Sequence, residues 1–477
     1  MASDRSFLLG LDAAQLHAGY RAGSLDPREV TEVMLAAAAQ ARGRYAAVVS
    51  LNAEDARQAA SVSAVRWRGN QPLSALDGVP ITFKDSFHVR DLPRWHGSAV
   101  NEGTISEHDA APVQRAREAG LVIIGKTSMP DYGLLMSGLS SQAGVVRNPW
   151  DIETNPAGSS AGAAACLACG VGALAVGTDM VGSVRLPAAA CGVVSLYATQ
   201  GRVAYDPPGS YRGAGPMARS VADVAALLEE IGQHDSRDQY ALPGQFRFDW
   251  QAEPVLRGKR IALLKALSYG DSVDLVTARA VARQAEVLSG LGADIHELAD
   301  LHVDADDYGA IYGSMLHRGL ADWHDAGAEQ RERVQPEIGH MLQAALTDSG
   351  LKLDQMTRRL GIATSRLMQQ LAPFDYVLSP ALPIRSFSAT AISPSPHLGA
   401  MSHMGFACWF NQLGRPAGTV PVLQIDRGVC PVSVQIAGRR FDDVGVLQIM
   451  RLLERERGFT IDYPILDLNT ASQGAWP

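Results

Sequence analysis

The sequence has few cysteines, and their number and spacing argue against a disulfide framework. Five cysteines occur in 477 residues, whereas domains held together by disulfides are short and rich in cysteine. Cys166 and Cys169 form a CxxC, but no histidine or second CxxC accompanies them in the run "SAGAAACLACGVGALAVG", so a zinc site is incomplete. We therefore expect two small residues on a buried helix, with no metal and no cofactor.

Basic runs and long apolar runs are also missing. The net charge is −8, and an acidic chain without a basic run is a poor candidate for binding nucleic acid or an anionic membrane. The uncharged apolar run at 161–178 consists mostly of Ala and Gly and is just short of a membrane span. The N-terminal residues contain no apolar core long enough for a signal peptide. We therefore expect a cytoplasmic protein with no nucleic acid or membrane partner.

Apolar strands alternate with helical segments along most of the chain. The segment 79–83 is one such strand, and this alternation is typical of a mostly parallel sheet with helices on both faces. We predict a single large α/β domain with a central mixed, mostly parallel, twisted sheet. Residues 1–70 are expected to form an N-terminal helical layer and residues 71–477 the core, with 303–370 as a helical cap or insertion within the same domain.

Polar residues interrupt apolar or glycine-rich surroundings at three places. Lys84 follows the strand at 79–83, Ser159 and Ser160 lie in "NPAGSSAGAAA", and Ser183 lies in "TDMVGSVR". A serine hydroxyl is a weak nucleophile unless a base takes its proton, and no histidine lies near these serines in sequence. A desolvated lysine can serve as that base, and strand ends are the usual place for catalytic groups in parallel α/β sheets.

Two of these three places also have a plainer explanation. Lys84 can extend from the strand end and pair with Asp85, and Ser159 or Ser160 can cap the helix that follows. The segment 158–162 also matches the GxSxG nucleophile elbow, with Ser160 as the nucleophile. That elbow requires an apolar strand before it, and the residues there, "RNPWDIETNPA", are typical of a loop.

Several ordered blocks resemble one family. The blocks "GVPITFKD", "NPAGSSAGAAA" and "GTDMVGSVRLPAAACGVVSLYATQGRV" resemble the amidase signature family of serine amidohydrolases. Further blocks of that family match "KTSMPDYG", "GVVRNPWD", "FNQLGRPAGTVPV" and "PVSVQIAGRRFDD". The nucleophilic serine follows 24 residues after the first serine of the Gly-Ser-Ser block. The resemblance covers residues 70–235 and 371–455 and implies the amidase signature fold.

The resemblance implies a catalytic role for three residues. Ser183 is the nucleophile that forms an acyl-enzyme, Ser159 is a bridging serine preceded by a cis peptide bond, and Lys84 is the base that receives a proton through Ser159. Backbone N–H groups of the loop before the nucleophile form the oxyanion hole. The implied oxyanion donors are Met180, Val181, Gly182 and Ser183, and the implied supporting residues are Ser160, Asp179 and Arg185.

The glycine blocks depart from the usual pattern of the family. The family usually shows Gly-Gly-Ser at the nucleophile, where this chain has Val181, Gly182 and Ser183. Valine is β-branched and disfavours a positive φ, so we expect an ordinary φ at Val181. Its side chain then either narrows the pocket beside the scissile carbonyl or packs behind the loop.

Candidate substrate-binding residues are mostly apolar or aromatic. They come from the block after Lys126 and from the segment 303–345, which also contains Met315 and His317. Core packing is the competing explanation for each of them. As a pocket lining they predict a neutral amide with an apolar or aryl group, such as an anilide, an aryl carbamate or an arylalkyl amide. The candidates are Tyr132, Leu134, Leu135, Met136, Tyr308 and Tyr312.

Three functions are compatible with the sequence. The leading one is a stand-alone hydrolase of small amides, such as an aryl acylamidase or a urethanase, with a small-molecule amide and water as its only partners and a possible homodimer. The second is the glutaminase (A) subunit of a tRNA-dependent amidotransferase. The third is a catalytically silent binding protein with this fold, against which the retained Lys84, Ser159 and Ser183 argue.

Overall fold

A mixed sheet of eleven strands runs through the molecule and is flanked by helices. The structure is a computed structural model and describes residues 6–426 and 428–469. The central strands Pro80–Lys84 and Leu174–Asp179 are buried along their whole length, which requires cover on both faces of the sheet. The prediction of an α/β domain with a large mixed sheet is confirmed.

The helices begin and end at ordinary capping residues. In the second helix, Pro27 takes the first position and the side chain of Asp26 accepts a hydrogen bond from the N–H of Arg28, as the sequence predicts. The helices of the described ranges are α1 (Ala13–Ala22), α2 (Pro27–Tyr45), α3 (Ala53–Arg68), α4 (Ala111–Glu118), α5 (Ala161–Ala168), α6 (Arg185–Cys191), α7 (Val221–Ile231), α8 (Leu275–Gly290), α9 (Ala305–His324), α10 (Ala328–Arg331), α11 (Pro336–Ala345), α12 (Gly350–Leu371), α13 (Gly405–Gln412) and α14 (Asp443–Glu456).

The strands form one large sheet and one small hairpin. They are β1 (Val48–Leu51), β2 (Pro80–Lys84), β3 (Val122–Thr127), β4 (Leu139–Ser140), β5 (Gly144–Val145), β6 (Leu174–Asp179), β7 (Val194–Tyr197), β8 (Gly213–Ala218), β9 (Arg260–Leu264), β10 (Asp294–Leu298), β11 (Tyr376–Pro380), β12 (Ala417–Leu423) and β13 (Val432–Ala437). The order in the large sheet is β1-β3-β2-β6-β8-β7-β12-β13-β11-β9-β10, and β4 pairs with β5 separately.

Parallel pairing is less extensive than the alternation of strands and helices predicts. In the described sheet it is confined to β2 with β3 and β6, and to β9 with β10 and β11. The strands β8, β7, β12 and β13 pair antiparallel in the middle of the sheet. The difference arises because β12 and β13 follow each other with no helix between them, and antiparallel neighbours can be joined by short loops.

The N-terminal segment contains a strand in addition to helices, and the segment 303–370 consists of helices joined by short loops. Residues 1–70 include α1, α2 and α3, but also β1, which pairs antiparallel with β3 at the edge of the sheet. Residues 303–370 hold α9 to α12, whose buried side chains join a hydrophobic cluster with Tyr132, Val181 and Trp409. None of the helices in the described part of the chain combines the length and apolar character that crossing a membrane needs.

The ends of two neighbouring parallel strands define one edge of the central sheet. β2 ends at Lys84 and β6 ends at Asp179, and these strands pair side by side. Because parallel strands have their carboxyl ends at the same edge, the residues that follow them lie close together. The turns that start α5 and α6 lie at this edge and bring Ser160 and Ser183 together, since the N–H of Ser160 donates to the carbonyl of Ser183 at 3.0 Å.

Candidate active site

Lys84 lies at the end of β2 and points into the protein. Its side chain has no exposed surface, and its Nζ lies 2.7 Å from Ser159 Oγ and 2.9 Å from Thr178 Oγ1. Asp85 does not pair with it, because that carboxylate forms an ion pair of 2.9 Å with the buried Lys126. The plainer explanation, a lysine extending from a strand end towards Asp85, therefore does not describe this residue.

The environment of Lys84 favours the neutral amine. Burial lowers the pKa of Lys84 well below its usual value, Asp179 opposes this shift, and the charge of Arg212 adds to it. No carboxylate of the described residues lies within ion-pair distance of its Nζ. A lysine that is neutral near physiological pH can accept a proton from a hydroxyl group.

Ser159 and Ser160 follow a loop, not a strand. The peptide bond between Gly158 and Ser159 is cis, as the resemblance implies. Asn155 shapes the loop, since its Oδ1 accepts from the N–H groups of Gly138 and Ala157 at 2.9 and 3.0 Å. Because the residues before Ser160 are loop, the structural setting of a nucleophile elbow is missing here.

Ser183 occupies the turn between β6 and α6. Its hydroxyl donates to Met136 Sδ at 3.4 Å, and both Ser159 and Ser183 line the same cleft. Transfer of the Ser183 proton to Ser159 therefore requires the hydroxyl to turn away from Met136. One rotation about a side-chain bond achieves this, and such rotations are fast.

The loop after β6 presents backbone N–H groups beside Ser183. The N–H of Gly182 donates to Asp179 Oδ1 at 2.7 Å, so this group holds the loop. The N–H groups of Met180, Val181 and Ser183 form no hydrogen bond with other described residues. These three donors are available for an oxyanion.

Gly182 is required by both its conformation and its surroundings. Its φ is 118°, which side chains rarely tolerate, and a Cβ there would lie 2.6 Å from the Cβ of Ala407. The neighbouring Val181 has no positive φ, is fully buried and belongs to a hydrophobic cluster with Leu186 and Ala407. Val181 is also not among the residues that line the cleft, so its side chain packs behind the loop.

Asp179 and Arg185 form a fully buried ion pair that supports this loop. Arg185 Nε lies 2.9 Å from Asp179 Oδ2, and Asp179 also accepts from Asn411 Nδ2 at 2.9 Å. Burial alone raises the pKa of Asp179, but the charge of Arg185 and the hydrogen bonds of Arg185, Asn411 and Gly182 bring it below its usual value. Gln435 Oε1 accepts from Arg185 Nη1 at 2.7 Å, which leaves the guanidinium well satisfied.

Supporting contacts tie Ser160 and Thr178 to the same turn. Ser160 Oγ donates to the carbonyl of Thr178 at 3.4 Å, and Ser160 occupies the N-cap position of α5 without a side-chain capping bond. Thr178, Asn411 and Gln435 were not predicted as site residues. All three stand in blocks that carry the family resemblance, so a signal for them existed, although nothing local in the sequence relates Asn411 or Gln435 to Arg185.

The cleft above Ser183 has a volume of about 520 Å³. Tyr132 and Leu134 line it, together with Met180 and Met315, and these side chains form an apolar wall. His317, in the segment that the sequence singles out, lies in the same lining.

Other predicted substrate-binding residues lie outside this lining. Leu135 is fully buried in the hydrophobic cluster, and Met136 contacts the Ser183 hydroxyl through its sulfur. Tyr308 contacts the carbonyl of Met401 through its hydroxyl, with its ring 4.9 Å from that of Tyr269. Tyr312 lines a separate groove between α9, α11 and α12.

Charged residues also line the cleft, and none of them was predicted. Three arginines, Arg94, Arg212 and Arg318, come from three distant parts of the chain, and Asp322 accompanies them. They stand outside the quoted family blocks, so only the folded chain relates them. In the described residues, no group of three or more His, Cys, Asp or Glu side chains is arranged to hold a metal ion.

Comparison with known proteins gives one family and several relatives. The sequence model of the Amidase family matches residues 29–447. The chain is 32% identical to the A subunit of the glutamyl-tRNA(Gln) amidotransferase of Symbiobacterium thermophilum, over 92% of this chain and 95% of that protein. It is 30% identical to the protein of the same name from Myxococcus xanthus, over 95% and 98%. A bacterial aryl acylamidase of the amidase signature family superposes with a TM-score of 0.83 at 25% identity, over 93% and 96%.

These relatives overturn the prediction about partners. The expectation that a small-molecule amide and water are the only partners, with nucleic acid excluded, was wrong. Relatives at about 30% identity are named as part of a glutamyl-tRNA(Gln) amidotransferase. The physical reason is that net charge describes one chain and carries no information about the other surfaces of an assembly.

The family resemblance itself is confirmed. The matched range extends from α2 into α14 and therefore includes every strand of the large sheet and all the residues of the site. The aryl acylamidase shares the fold over nearly the full length of both chains. This chain belongs to the amidase signature family.

Proposed function

We propose that this chain hydrolyses the carbon–nitrogen bond of a linear amide through an acyl-enzyme on Ser183. The observation that carries the proposal is the contact of 2.7 Å between Ser159 Oγ and Lys84 Nζ, because that lysine is buried and its pKa is well below the usual value. A neutral amine next to a hydroxyl is what a serine nucleophile needs when no histidine is available.

The first half of the reaction forms the acyl-enzyme and releases the amine. Ser183 Oγ attacks the carbonyl carbon while its proton passes to Ser159 Oγ, whose own proton passes to Lys84 Nζ. When the tetrahedral intermediate collapses, the carbon–nitrogen bond breaks and the proton returns through Ser159 to the leaving nitrogen. The ester on Ser183 and a neutral amine result.

The second half repeats these steps with water. A water molecule attacks the ester carbon and gives its proton to Lys84 through Ser159, and the proton then returns to Ser183 Oγ as the ester bond breaks. In both halves the negative charge on the carbonyl oxygen is stabilised by N–H groups, for which Met180, Val181 and Ser183 are available. Asp179 and Arg185 keep this loop in place.

The apolar wall of the cleft supports an apolar or aryl part in the substrate. Tyr132, Leu134 and Met180 line the cleft beside Ser183, and a cleft of about 520 Å³ accommodates a small ligand. An anilide, an aryl carbamate or an arylalkyl amide fits these features, and the likeness to an aryl acylamidase agrees with them.

A second candidate is the amide-hydrolysing A subunit of a tRNA-dependent amidotransferase. It is favoured by the names of relatives that match more than nine-tenths of this chain. In that role the chain would release ammonia from glutamine for a tRNA-bound acceptor, with the same chemistry at Ser183.

A panel of amides tests the proposal and separates the two candidates. The purified chain is assayed with para-nitroanilides, aryl carbamates, primary amides and L-glutamine, each with native protein, Ser183→Ala and Ser160→Ala. We expect Ser183→Ala to abolish turnover and Ser160→Ala to retain part of it. Turnover of glutamine alone, or only after partner proteins are added, favours the amidotransferase role. Undiminished turnover by Ser183→Ala would refute the proposal.

A further inference from the structure

The charge on the wall of the cleft is opposite to that of the whole chain. The chain carries a net charge of −8, yet three guanidinium groups and one carboxylate line the cleft above Ser183. Like charges placed together are unfavourable unless something of opposite charge compensates them. The arrangement therefore needs an explanation beyond ordinary surface composition.

The three arginines make few contacts with the rest of the protein. Arg94 Nε donates to the carbonyl of Ser86 at 3.0 Å. The guanidinium of Arg212 stacks on the ring of Tyr205, 4.0 Å from its centroid, and contacts its hydroxyl. Arg318 is exposed and lies against Gly209, where an added Cβ would be 2.7 Å from its Nη1.

No carboxylate of the described residues forms an ion pair with these arginines. Asp322 is the one carboxylate of this wall, and the partner within ion-pair distance is His96, with His96 Nδ1 3.8 Å from Asp322 Oδ2. By contrast, the other carboxylate of the cleft, Asp179, pairs with Arg185 and also accepts hydrogen bonds from Gly182 and Asn411. The guanidinium groups of this wall are thus available to a ligand.

Two histidines of the cleft, His88 and His96, add no positive charge to it at neutral pH. Burial lowers the pKa of His96 to about 3, with help from the charges of Arg94 and Arg212 and against the effect of Asp322. Burial also lowers the pKa of His88 to about 4. Both rings are therefore uncharged near pH 7, and three positive groups face one negative group.

We propose that the substrate carries a carboxylate that Arg212 and Arg318 bind while its amide group lies over Ser183. This inference rests on the proposed function and deepens it, because it changes the expected substrate from a neutral amide to an anionic one. Arginine binds carboxylates through two parallel hydrogen bonds, and a positive cleft in an acidic protein concentrates anionic substrates. The apolar wall with Tyr132 and Leu134 then contacts the rest of the substrate.

Matched pairs of amides test this proposal. One pair differs in the acyl group, glutaryl para-nitroanilide against valeryl para-nitroanilide, and the other differs in the leaving group, 4-acetamidobenzoate against 4-methylacetanilide. We expect the carboxylate to raise kcat/KM in at least one pair by about tenfold or more, because hydrogen bonds to a charged group are stronger than those between neutral groups. The pair that responds identifies the side of the amide that faces the arginines.

The variant Arg318→Gln shows whether the arginines cause the preference. We expect it to lower the ratio of kcat/KM between the carboxylate and the neutral member of the responding pair, whereas the control Arg279→Gln, at an exposed position on α8, leaves that ratio unchanged. Arg318 is preferred to Arg212 for this test because the charge of Arg212 also lowers the pKa of Lys84. Equal kcat/KM values within both pairs, or a preference that survives Arg318→Gln, would overturn the inference.

A binding measurement keeps this inference separate from the proposed function. Calorimetric titration of Ser183→Ala with the same pairs measures affinity without turnover. Tighter binding of the carboxylate members, lost in the double variant with Arg318→Gln, supports the inference even if no amide in the panel is hydrolysed. Turnover of the neutral members with no preference in binding would leave the proposed function standing and refute the carboxylate.

Discussion

Replacing Lys84 by methionine separates its catalytic role from its effect on stability. Methionine has a similar length but cannot accept a proton. Lys84 is the titratable side chain hydrogen-bonded to Ser159, and no other occupies that position in the described ranges. Since general base catalysis contributes about a hundredfold to ten-thousandfold in rate, we expect kcat to fall by about that factor.

The same replacement is expected to stabilise the fold at neutral pH. The folded pKa of Lys84 lies below its unfolded value of 10.5 because burial disfavours the charged form. Between these two pKa values the unfolded chain binds more protons, so the native protein gains stability as the pH rises, by about 1.4 kcal/mol per pH unit. The variant lacks this gain, so its advantage over the native protein shrinks as the pH rises from the folded pKa of Lys84 towards 10.5.

The variant also loses the two hydrogen bonds of the Lys84 amine, which lowers its stability by an amount that does not change with pH. Methionine leaves Ser159 Oγ and Thr178 Oγ1 without the amine, yet both residues line the cleft, where water can replace it. The difference in stability between the two proteins therefore shifts by a constant, and its slope against pH remains the diagnostic quantity.

Urea unfolding at a series of pH values, together with kcat at each pH, measures both effects. The control is Lys259→Met, whose side chain is 42% exposed and should change neither the slope nor kcat. In the native protein kcat should rise as Lys84 loses its proton. A free energy of unfolding that follows the same pH dependence in Lys84→Met and native protein, or near-native kcat in the variant, would refute the argument.

Three further variants test the loop around Ser183. Asp179→Ala leaves Arg185 buried without its carboxylate, and we expect it to lower the free energy of unfolding by about 3–5 kcal/mol and to abolish most activity. Gly182→Ala combines an unfavourable φ with a contact to Ala407; it should lose activity and at least about 1 kcal/mol of stability. Val181→Gly removes a packed side chain and should lose about 2 kcal/mol or more, with an unchanged order of preferred substrates. Denaturant unfolding and the amide panel check all three. The partly buried pair of Arg66 and Asp77, 2.6 Å apart and away from the cleft, supplies a control for Asp179→Ala, since Arg66→Ala should leave kcat unchanged. Native stability in Asp179→Ala or native activity in Gly182→Ala would contradict the described loop. A broadened range of acyl groups in Val181→Gly would show that this side chain narrows the pocket.

Local sequence patterns predicted the strands and helices that carry the site, because neighbouring residues determine where such elements begin and end. The apolar run at 79–83 forms β2 with Lys84 at its end, and Asp26 with Pro27 starts α2 as expected. The order of the strands was not predictable in this way. Whether β12 pairs parallel or antiparallel with β7 depends on a partner far away in the chain, and this is one reason why the sheet is less parallel than expected.

Contacts at the site could be predicted where family blocks relate the residues, and could not be predicted where only folding brings distant segments together. The close contact of Lys84 with Ser159 bridges 75 positions, and the ordered blocks of the family made it predictable. Arg94, Arg212 and Arg318 line the same cleft because loops and α9 come together there. No pattern along the sequence predicts this. Tyr312 was a candidate substrate-binding residue because it is aromatic and lies in the segment 303–345. In the structure it lines a groove whose lining does not include Ser183.

The central claim is that Ser183 becomes covalently acylated, and a covalent probe tests it most directly. The purified protein is treated with a fluorophosphonate, digested and mapped by mass spectrometry. We predict a single modified peptide with the label on Ser183, and slower labelling in Lys84→Met. Label on Ser160, or active protein that takes up no label, would contradict the account.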